Sequence, residues 1–215
     1  MYNKVLSGIL VVLIVAITGT LCYLGYNYYK KLKLNKDAEE YLEEFDTLVV
    51  ELKEEPEPEP EPEQPTQPAT PTYKKSIEDN KLWYKGFKVV GKLEMPTINI
   101  QYPILDVITH AKAIEVSVGV LYGPGVNQPG NTVIIGHNYN NGLFFGKNKN
   151  LQIGQKIYIT DIYGNKMEYT IFNKYYTPES DTSYITRQTD GKIEVTLVTC
   201  DRTGANRLVV CARVE

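Results

Sequence analysis

Apolar and polar residues alternate on both sides of a turn near the C-terminus of the chain. Apolar side chains occupy positions 193, 195 and 197 before the turn, and positions 208, 210, 212 and 214 after it. A period of two predicts a β-hairpin with one buried face, with residues 201–206 as the turn. Pairing Cys200 with Arg207 matches apolar with apolar residues and sets Glu194 against Arg213. The pattern therefore places a thiol beside a guanidinium at the open end of a hairpin, off the packed stripe.

A second strand end carries a histidine. Residues 131–135 form a short β-branched run that stops at Gly136 and His137, and a turn signal follows at residues 140–142. Like Cys200, His137 is predicted to lie at the mouth of the fold and not in its core.

The remaining pattern from Tyr73 onward predicts an all-β domain. Residues 87–95 and 98–105 are predicted strands on either side of Pro96, and residues 157–161 and 167–172 flank a turn. Thr109 is predicted to cap a short helix that runs to Glu115. Strands at this spacing favour a closed or nearly closed β-barrel, and roughly 140 residues are enough for its core.

A long apolar segment lies near the N-terminus of the chain. Residues 5–24 are almost wholly apolar, near the length that a transmembrane helix needs, which predicts an anchor over residues 1–29. A cleaved signal peptide is an alternative, but the run is too long and no clear cleavage site follows. Cys22 could indicate a lipoprotein, although Leu21 precedes it where a small residue is usual.

The charges beside this segment predict the opposite orientation from that of an external domain. Four lysines follow it, whereas only Lys4 and the amino terminus precede it. The positive-inside rule alone would place the C-terminal domain in the cytoplasm.

Two accessory segments are predicted between the anchor and the β domain. Residues 30–53 show an apolar stripe with helical spacing, which predicts a juxtamembrane amphipathic helix or a short parallel coiled coil. Residues 54–72 are rich in Glu and Pro and predict an extended spacer roughly 50 Å long. The domain itself is expected over residues 73–215.

Composition excludes several classes of function. A net charge of −3 gives no basic surface for nucleic acid, so no nucleic-acid partner is expected. No pair of Cys and His has the spacing of zinc ligands, and Asp106 and Glu115 are too sparse to predict a calcium site, so no cofactor or metal is expected. His110 is interpreted as a surface or helix residue.

The two strand ends resemble those of a known family. The sequence Thr196, Leu197, Val198, Thr199, Cys200 followed by Arg207 is similar to the signature of the sortases, cysteine transpeptidases of Gram-positive cell surfaces. Gly136 and His137 after residues 132–135 match the family's histidine strand. The resemblance implies an eight-stranded sortase barrel with the histidine and cysteine strands adjacent and parallel. It also implies that the polar loop at residues 177–191 helps to form the groove for the sorting signal.

The chemistry of these residues fits that resemblance. A cysteine attacks as the thiolate and needs a base or a positive neighbour, and a fixed guanidinium can stabilise the oxyanion that forms. We assign Cys200 as nucleophile, His137 as general acid and base, and Arg207 as the oxyanion or substrate-orienting donor. Candidate substrate-binding residues are Thr199, Asn138 and Thr196.

Other roles for these residues agree less well with the sequence pattern. Cys200 could be a buried structural thiol, but its parity places it off the core. A disulfide to Cys211 is excluded because the register sets Cys211 opposite Thr196, about 13 Å along the hairpin. Arg202 is nearer to Cys200 in sequence than Arg207 but lies in the middle of the turn.

The expected protein is a single-pass membrane sortase. The resemblance implies, against the flanking charge, that its catalytic domain lies outside the cell. It would cleave a C-terminal sorting signal of secreted proteins and transfer the acyl group to an amine of a cell-wall precursor. The absence of an Asp-Pro-aromatic sequence before the first strand and of an apolar segment after Val214 favours wall anchoring over pilin polymerisation. A catalytically silent binding barrel and a plain cysteine endopeptidase are the alternatives.

Overall fold

The computed structural model describes residues 2–54 and 77–215. It contains one long helix, α1, and nine strands. The strands are β1 (Trp83–Tyr84), β2 (Phe87–Met95), β3 (Ile100–Asp106), β4 (Val118–Tyr122), β5 (Gly130–Ile135), β6 (Lys156–Asp161), β7 (Lys166–Pro178), β8 (Ile193–Cys200) and β9 (Asn206–Arg213). Short 3-10 helices lie at Asp79–Lys81, Pro96–Ile98, Ala111–Glu115 and Asn148–Asn150.

Helix α1 spans Tyr2–Glu54 and belongs to two compact units. Residues up to Asp37 form the first unit, and the second runs from Ala38 to Glu215. Among the described residues, one helix, Lys4–Lys53, is long and apolar enough to cross a membrane by length and composition. The predicted spacer lies outside the described residues apart from Glu54.

Eight strands form a closed barrel, as predicted. The strand order is β1-β2-β3-β4-β5-β8-β9-β7-β6, and β2 also pairs with β6, which closes the sheet. The two-residue strand β1 extends β2. Two pairs are parallel, β3 with β4 and β5 with β8. The second of these confirms the expected neighbourhood of the histidine and cysteine strands.

The C-terminal hairpin has the predicted register. Cys200 pairs with Arg207, Leu197 with Val210, and Glu194 with Arg213. Cys211 faces Thr196, and the three cysteines of the chain are free. This confirms that Cys200 and Arg207 lie side by side.

The prediction of a single buried face was wrong. Val198, Val209 and Cys211 lie on the opposite face of the hairpin from the barrel core and are also buried. Tyr184, from the connection between β7 and β8, packs against them. The second face is therefore covered because apolar residues on it bury surface against the loop that crosses it.

Three local predictions differ from the structure. Thr109 does not cap the helix; its hydroxyl donates to Asp106, and His110 precedes a 3-10 helix without a side-chain cap. Strand β4 was not predicted. Strand β7 continues to Pro178 because it pairs with β9 as far as Asn206, so the connection to β8 comprises residues 179–192.

The C-terminal part of α1 packs on the barrel. Leu42, Phe45 and Val49 recur with helical spacing and are buried. At the edge of this contact, the ring of Tyr41 packs against that of Tyr84, with centroids 5.3 Å apart and the planes tilted by 54°. The predicted apolar stripe is confirmed, and it is buried within the unit that contains the barrel.

A charged contact accompanies this apolar stripe. Lys92 on β2 is buried, and its Nζ lies 2.6 Å from Oδ2 of Asp46 on α1 and 3.6 Å from Oε1 of Glu94. Two carboxylates thus compensate a buried ammonium, which would otherwise be costly.

Phe45→Ala should destabilise the domain because the side chain is almost completely buried between α1 and the barrel. We expect a loss of about 3 kcal/mol in the free energy of unfolding, measured by urea denaturation of the full chain in detergent. Val50→Ala, on the exposed side of α1, is the matched control and should change stability by less than about 0.5 kcal/mol. Equal effects of the two substitutions would contradict the packing of α1 on the barrel.

Candidate active site

Cys200 and Arg207 occupy the open end of the β8–β9 hairpin. Cys200 is the last residue of β8 and is partly buried, and Arg207 is the second residue of β9. Their Cα positions are paired across the hairpin. The antiparallel ladder therefore fixes the two side chains on the same face.

Asp201 organises the turn between them. Its carboxylate accepts hydrogen bonds from the backbone N–H and hydroxyl of Thr203, at 2.9 and 2.8 Å, and from Nδ2 of Asn206 at 2.8 Å. Bonds from Asn206 and Thr203 to the charged form lower the pKa of Asp201 to about 2. Gly204 closes the turn with φ +79°, a conformation that glycine adopts without strain.

His137 follows the end of β5, beside the end of β8. In the parallel pair, Ile135 is level with Val198, and the N–H of Gly136 donates to the carbonyl of Val198 at 3.2 Å. A Cβ on Gly136 would lie 2.9 Å from both Phe145 and Val118, so the backbone passes here only without a side chain. Thr199 Oγ1 donates to the carbonyl of Gly136 at 2.6 Å. These contacts place His137 next to the strand that ends in Cys200.

Asn138 joins the two strand ends directly. Its Nδ2 donates to the carbonyl of Cys200 at 2.8 Å, and a β-bridge pairs Asn138 with Phe144. The carbonyl of His137 itself accepts a hydrogen bond from the N–H of Phe145 at 3.0 Å. The backbone of the segment that carries His137 is thus held on both sides.

The imidazole of His137 lies beside a carboxylate. Its Nε2 is 3.5 Å from Oε1 of Glu115, in the 3-10 helix before β4. The ring of Tyr139 lies 5.2 Å from the imidazole, centroid to centroid.

The guanidinium of Arg207 is mostly buried and engaged. It forms an ion pair with Glu179 at the start of the β7–β8 connection, and Nη1 donates to the carbonyl of Gly204 at 3.0 Å. Within the described part of the chain, no hydrogen bond or ion pair connects the thiol of Cys200 to His137 or Arg207. The strand pairing nevertheless brings the three residues to one end of the barrel.

A cavity of about 280 Å³ opens at this end of the barrel. It is bounded by the segment after β5, the end of β7 and the β8–β9 turn. Its lining residues are Asn138, Phe145, Gly146, Lys149, Tyr176, Cys200, Asp201, Arg202, Thr203 and Leu208. Arg202, the alternative to Arg207, is exposed in the turn and borders this cavity.

The three predicted substrate-binding residues lie in different surroundings. Asn138 borders the cavity beside Cys200. Thr196 is fully buried, and its hydroxyl donates to Oδ1 of Asn131 at 2.7 Å. Thr199 is buried with its hydroxyl bonded to Gly136.

Sequence reasoning predicted a groove loop at residues 177–191 from the family resemblance, but it did not identify the contacts that hold the β7–β8 connection. Asn131 Nδ2 donates to the carbonyls of Tyr184 and Ile185, at 2.8 and 3.2 Å, and Arg187 forms an ion pair with the buried Glu194. Burial raises the pKa of Tyr184, and the nearby Arg207 acts in the opposite direction. No local sequence signal marks the bonds from Asn131, which join residues 53 and 54 positions apart.

The other histidine and the other domain cysteine lie elsewhere. His110 is exposed, with its Nδ1 2.9 Å from the hydroxyl of Thr109. Cys211 is buried, and burial raises the pKa of its thiol. Within residues 2–54 and 77–215, no cluster of three or more His, Cys, Asp or Glu side chains could hold a metal ion.

Comparison with known proteins identifies the family. The family model described as Sortase domain matches residues 93–215. Comparison with curated proteins gives no match. Because the family model matches more than half of the chain, the chain belongs to the sortase family.

Solved structures of sortases share the fold. Sortase A from Corynebacterium diphtheriae is 27% identical with a TM-score of 0.51, over 60% of this chain and 62% of that one. Sortase A of Listeria monocytogenes is 25% identical with a TM-score of 0.53, over 59% of this chain and 87% of that one. A Clostridium perfringens Sortase D5 transpeptidase is 21% identical with a TM-score of 0.54, over 84% of this chain and 97% of that one. The chain thus spans less than two thirds of the first of these proteins.

Asp201→Asn should weaken the fold in a pH-dependent manner. Folding lowers the pKa of Asp201 from 3.8 to about 2, so its ionised form stabilises the native state above pH 4 and this stabilisation disappears as the pH falls towards 2. We expect the urea midpoints of the wild type and the variant to differ at pH 6 and to converge towards pH 2. A difference that stays constant over this range would contradict the role of the carboxylate charge in the turn.

Proposed function

We propose that this protein is a membrane-anchored cysteine transpeptidase that acts on sorting signals. The observation that carries the proposal is the convergence of three strand ends. Parallel pairing of β5 with β8 and antiparallel pairing of β8 with β9 bring His137, Cys200 and Arg207 to one end of a sortase barrel.

The first half of the reaction cleaves a peptide bond. The thiolate of Cys200 attacks the carbonyl carbon of the scissile bond, and Arg207 stabilises the oxyanion or orients the substrate. His137 protonates the nitrogen of the departing peptide, and the C–N bond breaks. The acyl part remains on Cys200 as a thioester.

The second half forms a new amide. An amine attacks the thioester carbon, His137 accepts the amine proton, and the C–S bond breaks to release the Cys200 thiolate. The imidazole thus returns to the protonated state in which it began. We propose that the acceptor is the amine of a cell-wall precursor and that the acyl donor is a secreted protein with a C-terminal sorting signal.

Arg207 has to exchange partners for this role. In the structure its guanidinium is paired with Glu179, whose side chain is mostly exposed. A surface carboxylate is a weak competitor because water solvates it well. We therefore propose that the substrate displaces Glu179 from Arg207 when it binds.

The remaining predicted residues receive different parts in this proposal. Asn138 contacts the substrate from the cavity next to Cys200 and holds the two strand ends together. Because Thr196 and Thr199 are buried, we propose that they shape the strands beneath the substrate through their hydrogen bonds.

The proposed cellular arrangement places the domain outside the membrane. Residues 1–29 would form the anchor, residues 30–53 the juxtamembrane helix and residues 54–72 the linker to a catalytic domain at 73–215. The candidate membrane span supports the anchor, and the sortase family supports an external location.

Transpeptidation by the full chain in detergent tests the function. A panel of sorting-signal peptides would be incubated with and without oligoglycine or diaminopimelate-type amines, and the products followed by mass spectrometry. We expect an amine-linked product and an acyl adduct on Cys200 in the wild type, and neither in Cys200→Ala. Hydrolysis unaffected by amines would indicate an endopeptidase instead. If Cys200 reacts with neither the peptides nor alkylating reagents, the result would favour a catalytically silent binding barrel.

Arginine variants test the assignment of Arg207. Arg207→Lys keeps the charge but loses the fixed fork of the guanidinium, so we expect kcat to fall about 100-fold. Arg202→Lys, in the turn that precedes β9, is the matched control and should retain most activity. A larger loss for Arg202→Lys than for Arg207→Lys would reverse the assignment.

A further inference from the structure

We propose that Glu115 is a positioning residue for His137. Its carboxylate holds Nε2 of the imidazole, which leaves Nδ1 as the nitrogen that exchanges protons with the substrate amines. The inference rests on the proposed function and adds a residue to its site.

The geometry of the imidazole carries this proposal. Nε2 of His137 is buried and has no protein hydrogen bond with good geometry, although the side chain as a whole is 36% exposed. The charged atom within ion-pair distance of Nε2 is Oε1 of Glu115, at 3.5 Å. Nδ1 of His137 takes part in no hydrogen bond of the described residues. The two ring nitrogens therefore have distinct surroundings.

The pairing of β4 with β5 places Glu115 beside His137. Strands β4 and β5 are antiparallel, with Gly119 level with Ile135, so the segment before β4 lies beside the residues after β5. That segment is fixed, because Ser117 donates through Oγ to the carbonyl of Pro103 at 2.6 Å and through its N–H to Ala113 at 3.2 Å. Glu115 thus projects from an anchored turn.

Tyr139 lies beside both the carboxylate and the imidazole. Burial, together with the nearby Glu115 carboxylate, raises the pKa of the Tyr139 phenol, which keeps it neutral. Its ring contacts both His137 and Phe144, at centroid distances of 5.2 and 5.7 Å.

A row of aromatic rings connects Tyr139 to the barrel core. Phe144 packs edge-on to Tyr102, with centroids 5.2 Å apart, and its N–H donates to the hydroxyl of Tyr102 at 3.2 Å. Both of these rings are buried. Tyr139 is therefore held from the barrel side, with its ring against the imidazole of His137.

The carboxylate gives the imidazole a defined state in both halves of the reaction. When His137 gives its Nδ1 proton to the departing amine, the proton on Nε2 stays in place, facing Glu115. The neutral ring then has a free lone pair on Nδ1, which accepts the proton of the incoming amine. Glu115 neither gains nor loses a proton in these steps.

Folding stability depends little on this contact. The Glu115 side chain is 63% exposed, and exposed ion pairs of this kind contribute little to folding stability. The effect of removing the carboxylate should therefore appear in catalysis and in the ring of His137, with little change in the unfolding midpoint.

Glu115→Ala in the full chain tests the inference. We expect kcat for amide transfer to fall about tenfold, within the range that acid–base positioning supplies, with KM within about twofold of the wild type. Tyr139→Phe should lower kcat in the same direction by a smaller factor. The double variant should be little worse than Glu115→Ala, because the two side chains act through one contact. Glu78→Ala, an exposed glutamate paired with Lys81, is the control and should retain wild-type kcat.

Nitrogen NMR of the imidazole provides a readout that does not need activity. The chain has two histidines, so His110→Gln leaves the His137 ring as the single imidazole signal. We expect the ring nitrogens of the otherwise wild-type chain to show the Nε2–H tautomer when neutral. Loss of Glu115 should shift both nitrogens towards a mixture of tautomers, and Glu115→Asp should restore part of the wild-type spectrum.

The outcomes separate the two proposals. If the wild type lacks transfer activity but the ring spectrum responds to Glu115, the proposed function fails while the contact stands. If the wild type is active and Glu115→Ala leaves kcat and the ring spectrum unchanged, the role of Glu115 is overturned. A fall in kcat with an unchanged ring spectrum also overturns it, because the effect would not then act through His137.

Discussion

The parallel pairing of β5 with β8 is the constraint on which the candidate site depends. These strands are separated by nearly sixty residues in the chain, yet their backbone ladder runs from Gly130 and Ile193 to Ile135 and Val198. Parallel strands end at the same edge, so the residues that follow Ile135 and Val198 must emerge together. His137 and Cys200 are neighbours for this reason, and Asn138 then bonds directly to the carbonyl of Cys200. A register shift of one residue would send Cys200 to the other face of the sheet.

A buried polar network holds the β7–β8 connection over the face of the sheet that carries Cys200. Asn131 holds the backbone of Tyr184, and Arg187 crosses to the buried Glu194 while its guanidinium lies 5.3 Å from the ring of Phe172. A buried glutamate is tolerated because the arginine pairs with it. The network fixes the β7–β8 connection over the strands, and this connection also supplies Glu179 to Arg207. The resting state of the arginine is therefore linked to the same loop that covers the sheet.

The helix before the barrel shows how one periodic pattern allows several partners. An apolar stripe at Leu42, Phe45 and Val49 fits a second helix, a membrane surface or a sheet equally well. In this protein it is buried in the unit that contains the barrel, where Asp46 meets Lys92 of β2. The buried lysine favours this arrangement because α1 supplies one of its compensating carboxylates. The part of α1 from Ala38 onward therefore contributes to the core of the domain.

The sequence by itself determined the local units of this protein. Alternation around the Asp201 turn predicted the β8–β9 register and the pairing of Cys200 with Arg207, because hairpin partners are close in the chain. The end of β5 just before Gly136 and His137 was predicted from its β-branched run, which is also a local signal. Strand spacing predicted a closed or nearly closed barrel, and the family resemblance added the number of strands. Only the tertiary structure decided that Tyr184 covers the second face of the hairpin, that Glu115 meets His137 and that Glu179 pairs with Arg207. Each of these contacts joins residues at least fourteen positions apart, and single-sequence periodicity reports only which face is apolar, not which distant segment covers it.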